Sequence, residues 1–162
     1  MDDLTLRPFV DGDLPALHRI RAAAFAPVFR GFREAVGAEI AAVALADAEA
    51  VQARHLDELS ASADQHLLVV ERAGEIVGFV AFSVDAAKRT AELGLNAVAP
   101  EHAGRGVGSW MYREVLDRMR ALGAATVEVG TGGDAAHAPA RRAYEKAGFG
   151  PAIPGVHLYR KL

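Results

Sequence analysis

The stretch of sequence that decides the fold spans residues 96–109 and reads Asn96-Ala97-Val98-Ala99-Pro100-Glu101-His102-Ala103-Gly104-Arg105-Gly106-Val107-Gly108-Ser109. An apolar strand ends at Pro100, a loop with three glycines follows, and a helix begins directly after the loop. Glycines let the backbone approach a ligand closely and expose its N–H groups. A helix N-terminus adds unpaired N–H donors and a partial positive charge. Together these features predict a binding site for phosphate or pyrophosphate.

The composition indicates a folded globular protein. The chain has 162 residues, of which 51% are hydrophobic and 24% are charged, a balance typical of folded proteins rather than disordered ones. This length suits a single domain with a sizeable core, so we expect residues 1–162 to form one domain. The formal net charge of -3 lacks the basic footprint of a nucleic-acid binder, and no nucleic-acid partner is expected.

Missing residue types and segments exclude further classes of protein. The sequence has no cysteine, which excludes a disulfide scaffold and a cysteine nucleophile. The histidines show no metal-ligand spacing, and no metal site is expected. The start of the chain is acidic, and no stretch approaches the roughly 20 apolar residues of a membrane span. We therefore expect a cytoplasmic protein with no membrane partner, and a homodimer only because dimers are the commonest assemblies.

Before the glycine loop, the patterning predicts strands around one long helical region. Residues 4–9 alternate between apolar and polar and predict a first strand. Pro15 lies where the first turn of a helix tolerates proline, and the alanine-rich residues 33–60 predict one or two further helices with Gly37 as a break. Residues 66–71 and 76–84 predict two strands of a hairpin, and residues 91–99 predict a third strand beside them.

After the glycine loop, the pattern alternates between helix and strand. A stripe at helical spacing predicts a helix that Gly123 ends; it consists of Val107, Met111, Val115, Met119 and Leu122. Residues 124–129 predict a strand, Pro139 and Gly148 delimit a helix, and residues 156–162 predict a last strand. This order of elements predicts a mixed α/β or α+β sheet flanked by helices.

Three interpretations of the glycine loop can be compared with the local sequence, which excludes the first and leaves the other two open. A nucleoside-triphosphate loop requires Gly-Lys-Ser/Thr, which the chain lacks. A dinucleotide fingerprint requires G-x-G-x-x-G, whereas the spacing here is Gly104-x-Gly106-x-Gly108, although Glu128 has about the spacing of the expected acidic partner. A tight turn before a helix, without a ligand, is the third interpretation.

The loop resembles the acetyl-coenzyme A loop of the GNAT superfamily of N-acetyltransferases, Gln/Arg-x-x-Gly-x-Gly/Ala, which here reads Ala103-Gly104-Arg105-Gly106-Val107-Gly108. A second block supports the resemblance, because His137-Ala138-Pro139-Ala140-Arg141-Arg142-Ala143-Tyr144-Glu145-Lys146-Ala147-Gly148-Phe149 is similar to the family's Asn-x-x-Ala-x-x-x-Tyr-x-x-x-Gly-Phe. The resemblance covers residues 91–149. It implies a GNAT-type domain with a mixed, mostly antiparallel central sheet, and acetyl transfer from acetyl-CoA to a primary amine of a small molecule or a peptide.

The resemblance also implies which residues contact acetyl-CoA. The implied contacts are Asn96, Ala97, Val98, Ala103, Gly104, Arg105, Gly106, Val107, Gly108, Ser109, His137 and Tyr144. Ala103 replaces the family's Gln or Arg, so Arg105 is expected to supply the charge near the pyrophosphate. His137 replaces the family's Asn, and its imidazole keeps the capacity to hydrogen-bond the pantetheine arm. Val98 is implied to offer its backbone N–H to the thioester carbonyl.

Glu92 is the candidate general base. An amine is protonated at neutral pH, and some members of the family place a catalytic glutamate on this strand. Glu92, Gly94 and Asn96 share one strand face by the period of two, unless a bulge intervenes. The alternative is a surface carboxylate that faces solvent or pairs with Lys88 or Arg89.

Tyr144 is the candidate general acid. A phenol stays protonated at neutral pH and can donate a proton to a thiolate, and the family motif places this tyrosine beside the coenzyme sulfur. The alternative is a tyrosine that only packs on an apolar helix face.

Direct attack on the thioester in a ternary complex is expected, because no cysteine can carry the acetyl group. Two competing functions stay open. The first is a coenzyme A-binding sensor without turnover, and the second is a nicotinamide-dependent oxidoreductase.

Overall fold

The computed structural model describes residues 3–162, and its centre is one five-stranded sheet. The strands lie in the order β1-β2-β3-β4-β5, where neighbouring strands from β1 to β4 are antiparallel and β5 runs parallel to β4. This arrangement confirms the predicted mixed, mostly antiparallel sheet. The strands are β1 (Leu4–Pro8), β2 (His66–Arg72), β3 (Glu75–Asp85), β4 (Thr90–Val98) and β5 (Thr126–Val129).

Five α-helices flank the sheet. Gly37 has a φ of +81° and separates the first two, as the sequence predicts. The first helix continues through Pro27 as far as Val36. Residues 33–36, which were predicted to begin a further helix, are therefore its last turn. Because buried Val28 and Phe29 pack the stretch around Pro27 against the protein, the backbone bond that proline removes is tolerated. The helices are α1 (Leu14–Val36), α2 (Ala38–Ala44), α3 (Ala48–Ala61), α4 (Val107–Ala121) and α5 (Ala138–Lys146). None of the helices described here is long and apolar enough to cross a membrane.

The sheet separates two hydrophobic cores. Phe82 and Met111 belong to the core between the sheet and helices α4 and α5. Leu17, Leu56 and Phe79 belong to the core between the sheet and helices α1 and α3. Successive side chains of a strand point to opposite faces, so one strand supplies both cores. Each fully buried side chain of this size contributes about 1.5–3 kcal/mol.

Strand β4 contains a β-bulge between its two halves. Val80 of β3 pairs with Asn96 and Phe82 pairs with Leu93, so a step of two residues on β3 spans three residues on β4. One extra residue reverses the facing of every side chain that follows it. Accordingly, Leu93 packs in the core between the sheet and α4, whereas Ala97 packs in the core between the sheet and α1.

The bulge corrects one sequence-based expectation. Strict alternation would place Glu92, Gly94 and Asn96 on the same face of β4. Glu92 instead lies on the face of α1, opposite its neighbour Leu93, while Asn96 faces α4 and hydrogen-bonds Tyr112 there. The bulge therefore puts Glu92 and Asn96 on opposite faces of the sheet.

The predicted last strand is wrong. Residues 149–162 form neither helix nor strand, and the apolar side chains of Ile153, Val156, Leu158 and Leu162 are exposed. The segment pairs with neither sheet edge within residues 3–162, and Lys161 instead forms an ion pair of 2.6 Å with Glu39 of α2. Alternation in sequence indicates strand propensity, but a strand also requires a neighbour to complete its hydrogen bonds.

Candidate active site

The glycine loop presents a row of backbone donors at the start of α4. Gly104 and Gly106 have φ values of +72° and +83°, a backbone conformation that glycine adopts at little cost. Among residues 3–162, no hydrogen bond uses the backbone N–H groups of residues 104–109. The N–H of Ala103 is different, because it donates to the carbonyl of Pro100 at 3.1 Å. Six successive N–H groups are therefore free to bind an anion beside a helix N-terminus.

A cleft of about 860 Å³ begins at this loop and runs past β4 toward α5 and α1. Glu92 lines it, and so do ten of the twelve predicted coenzyme contacts. Arg105 and Val107 are the two that do not. Arg105 is exposed on the loop, and the side chain of Val107 is buried in the core, so neither side chain lines the cleft. Arg142 of α5 also lines the cleft and adds a cationic side chain.

The sheet is open along the second half of β4. Strand β5 pairs with β4 only from Thr90 to Leu93, so residues 94–98 have no neighbour on that side. Ala99 donates its N–H to Val77 of β3 at 2.9 Å. Because N–H groups alternate between the two edges of a strand, the N–H of Val98 points to the open edge, where the cleft lies.

Tyr144 and Asn96 meet in this cleft through a hydrogen-bond network. The amide nitrogen Nδ2 of Asn96 donates to the hydroxyl oxygen of Tyr144 at 3.1 Å and to the carbonyl of Gly94 at 2.9 Å. The hydroxyl of Tyr112 in α4 donates to Oδ1 of Asn96 at 2.8 Å. Burial, together with the nearby Tyr144, raises the pKa of Tyr112 far above its usual value, so Tyr112 stays a neutral donor.

The sequence analysis missed Tyr112. An aromatic residue beside the apolar stripe of α4 is usually a core residue, and Tyr112 is indeed only 4% exposed. Its position four residues after Gly108 was the available signal, because residues four apart share one face of a helix. That face begins at the glycine loop, and Tyr112 lies on it one turn further along α4, where it contacts Asn96.

Glu92 is exposed and lines the cleft from the face of α1. The sequence left open an ion pair with Lys88 or Arg89, but Lys88 pairs with Asp85 at 3.0 Å. Within residues 3–162, no salt bridge engages Glu92. Its carboxylate is therefore available to accept a proton from a group in the cleft.

His137 is held by its own loop and by α1. Its Nδ1 lies 2.6 Å from Oδ2 of Asp134, and its ring stacks on Phe32 at a centroid distance of 5.8 Å. Burial opposes ionisation of Asp134, but the interaction with His137 and backbone donors together keep the pKa of Asp134 below its usual value. Because Nδ1 donates to the carboxylate, Nε2 is the ring atom left for a ligand.

Gly132 allows this loop to fold tightly. A Cβ atom placed on it would collide with Oδ2 of Asp134 and Nδ1 of His137. We expect Gly132→Ala to lower the free energy of unfolding by about 1–3 kcal/mol, because the two side chains must move. Gly133→Ala is the matched control, since nothing lies within 4 Å of its Cβ position, and its effect should stay within about 0.5 kcal/mol. Denaturant unfolding measures both; equal effects would contradict this account of the loop.

No group of three or more His, Cys, Asp or Glu residues in the described part of the chain is arranged to hold a metal ion. Within residues 3–162, the site consists of a loop with unpaired backbone N–H groups, an opening in the sheet, a carboxylate outside any salt bridge and a buried phenol.

The sequence matches the model of a known protein family over most of its length. The acetyltransferase (GNAT) family model matches residues 34–149. That span is more than half of the chain, and the protein therefore belongs to the GNAT acetyltransferase family. The resemblance drawn from the two sequence blocks is confirmed. No curated protein sequence matches the chain significantly.

Solved structures of similar fold include three that illustrate the range of the family. A GNAT-family protein from Desulfovibrio desulfuricans has a TM-score of 0.70 at 22% identity, over 93% of this chain and 87% of its own. The ribosomal-protein-S18-alanine N-acetyltransferase from Escherichia coli has a TM-score of 0.67 at 19% identity, over 93% and 79%. A GNAT family acetyltransferase from Brucella melitensis, in complex with acetyl-CoA, has a TM-score of 0.60 at 25% identity, over 93% and 91%. The first two likenesses concern the fold alone.

Proposed function

We propose that this protein is an acetyl-CoA-dependent N-acetyltransferase, formed as one domain by residues 1–162 and acting in the cytoplasm. The observation that carries the proposal is the free N–H row of residues 104–109, which opens onto the same cleft as Tyr144. A diphosphate fits this row, because its oxygens accept hydrogen bonds and its charge suits a helix N-terminus. The acetyl-CoA complex of the similar Brucella melitensis structure supports the choice of coenzyme.

The opening beside β4 suits the rest of the coenzyme. An extended arm with amide groups would pass along residues 94–98, where the strand has no neighbour. The N–H of Val98 then faces the carbonyl oxygen of the thioester and stabilises the negative charge that develops on it. Nε2 of His137 offers a further hydrogen bond to the arm.

In the proposed reaction, a primary amine attacks the thioester carbonyl directly. The amine arrives as an ammonium and first loses one proton to Glu92, directly or through water, which frees its lone pair for attack. The C–N bond then forms, the C–S bond breaks, and the second proton on the nitrogen leaves through water, which also reprotonates Tyr144. Tyr144 donates its hydroxyl proton to the departing thiolate. The two groups flank the opening in the sheet, since Glu92 lies on the face of α1 and Asn96, which binds Tyr144, lies on the face of α4.

The acceptor is an amine of a small molecule or a peptide. It would enter from the side of Glu92, where the cleft is walled by α1 and by Gln52 and His55 of α3. The carboxylate of Glu92 is free of ion pairs there, and it would attract a cationic amine before accepting its proton. No feature of this wall selects between the two acceptor types.

Acetyl transfer predicts that some amine accelerates release of free thiol from acetyl-CoA. The measurement is thiol release with a panel of aminoglycosides, polyamines, lysine peptides and peptide N-termini, corrected for hydrolysis without an amine. At least one amine should raise the rate by about tenfold or more above the hydrolytic background. If acetyl-CoA binds tightly and no amine raises the rate, the protein is a coenzyme A sensor.

Ligand stabilisation separates the proposal from the nicotinamide alternative. A ligand that binds the folded state at 100 times its Kd adds about 2.7 kcal/mol of stability. We expect acetyl-CoA to raise the Tm and NAD to leave it unchanged. Stabilisation by NAD alone would overturn the acetyltransferase proposal.

A further inference from the structure

We propose that Asn96 and Tyr112 are positioning residues, which hold the hydroxyl of Tyr144 so that its proton is free to enter the cleft. This inference rests on the proposed function, because it concerns the proton that the departing thiolate would receive. It assigns roles to two residues that do not themselves need to touch the reacting atoms.

The contacts of Asn96 leave one orientation for its amide group. The carbonyl of Gly94, 2.9 Å from the amide nitrogen, can only accept a hydrogen bond, so Nδ2 must face it. The oxygen Oδ1 then faces Tyr112 at 2.8 Å. Because an amide oxygen can only accept, Tyr112 must donate its single hydroxyl proton to it.

The second hydrogen of Nδ2 points to the oxygen of Tyr144 at 3.1 Å. Tyr144 therefore accepts a hydrogen bond from Asn96 and keeps its own proton. Within residues 3–162, Tyr144 is the donor of none of these hydrogen bonds, although the hydroxyl of Tyr112 lies close enough to interact with it. Tyr144 lines the cleft and is 7% exposed. When Tyr144 gives the proton away, the N–H of Asn96 already points at the oxygen that becomes negative.

The surroundings keep this arrangement fixed. The rings of Tyr112 and Tyr144 are tilted at a centroid distance of 4.8 Å, and Phe149 packs edge-on against Tyr144 at 5.6 Å. Tyr112 is 4% exposed and packs in the core between the sheet and α4, at the edge of the cleft. The bulge in β4 is also required, because regular alternation would turn Asn96 to the opposite face.

Three variants test the assignment by comparing kcat with KM. Asn96→Asp keeps the shape of the side chain but replaces the N–H donor by a carboxylate oxygen, which would accept the Tyr144 proton and keep it from the cleft. We expect kcat to fall at least about tenfold, more than in Asn96→Ala, where the proton stays free. The KM for acetyl-CoA should change less than about threefold. Tyr112→Phe, which frees the amide to move, should lower kcat by about three- to tenfold. A role in packing alone would reverse the order, with Asn96→Asp milder than Asn96→Ala, and would overturn the assignment.

A thiol titration tests the same point without an amine acceptor. The pKa of the thiol of bound coenzyme A, followed by ultraviolet absorbance of the thiolate, should rise in Asn96→Asp. A carboxylate could raise it directly by its charge, so the titration is repeated in a Tyr144→Phe background. If Asn96 acts through Tyr144, Asn96→Asp should change the Ka of the thiol by a factor at least about threefold smaller in the Tyr144→Phe background than in the original protein. An undiminished shift would overturn the assignment.

A spectroscopic measurement separates this inference from the proposed function. Asn96 is the only asparagine in the chain, so protein labelled with 15N in asparagine side chains gives one pair of NH2 signals. We expect Tyr144→Phe to shift one hydrogen of that pair and Tyr112→Phe to shift both. Such shifts with no amine turnover would refute the enzyme but support the network. Unchanged signals with full turnover would refute the network and leave the proposed function standing.

Discussion

Gly106→Val is expected to abolish acetyl-CoA binding while leaving the protein folded. Gly106 precedes α4 with a φ of +83°, and its N–H belongs to the free row of residues 104–109. A branched side chain would occupy the space that the diphosphate needs and would pull the neighbouring N–H groups out of alignment. Losing two charged hydrogen bonds of about 1.5–3 kcal/mol each predicts a Kd at least about 100-fold higher, measured by calorimetric titration with acetyl-CoA.

Gly123→Val provides the matched control for backbone strain. Gly123 follows α4 at its other end with a φ of +99°, and nothing lies within 4 Å of its Cβ position. Both variants should lose about 1–2 kcal/mol of stability, because both force valine into a left-handed conformation. Gly123→Val should nevertheless bind acetyl-CoA normally. Equal loss of binding in both variants, or normal binding by Gly106→Val, would remove the loop from the coenzyme site.

Tyr144→Phe is expected to lower turnover by about 10–100-fold and to change the Kd for acetyl-CoA less than about twofold. The phenylalanine ring can keep the contacts with Tyr112 and Phe149, so only the hydroxyl is lost. Asn96 retains the carbonyl of Gly94 as an acceptor, which limits the cost to stability. Steady-state kinetics with the best acceptor measures the change in kcat.

Tyr159→Phe is the control for Tyr144→Phe, since it removes the same hydroxyl from the exposed C-terminal segment. Its kcat should equal that of the original protein within about twofold. Unchanged kcat in Tyr144→Phe across the accessible pH range would exclude Tyr144 as the proton donor, and a water molecule would then have to serve.

Local sequence was sufficient for the features that depend on neighbouring residues. The glycine loop was predicted because glycine alone adopts positive φ cheaply, and Gly104 and Gly106 do so. The hairpin between β2 and β3 was predicted from the short turn containing Gly74, and Gly74 has a positive φ, as does the neighbouring Ala73. The mixed sheet followed from the order of elements together with the family resemblance.

Features that depend on distant residues could not be predicted in this way. The bulge in β4 is visible only when its pairing with β3 is known, because the sequence of β4 reads as an ordinary apolar strand. Tyr112 became a candidate only through its contact with Asn96, 16 residues away in the chain. The last strand was mispredicted because alternation indicates strand propensity but does not show whether the segment pairs with a sheet edge. The roles of Glu92 and His137 remain predictions.

The single extra residue in β4 has a consequence for how such an enzyme can diversify. It places Glu92, the proposed proton acceptor, on one face of the sheet. Asn96, which binds the proposed proton donor Tyr144, lies on the other face. Residues of α1 and α3 can then change to suit a new amine without disturbing the buried tyrosine pair on the far side. Deleting one residue at the bulge would turn Asn96 toward the face of α1, on which Glu92 lies. Under the proposed mechanism, a change of acceptor and a change of proton donor would therefore involve residues on different faces of the sheet, because of the bulge in β4.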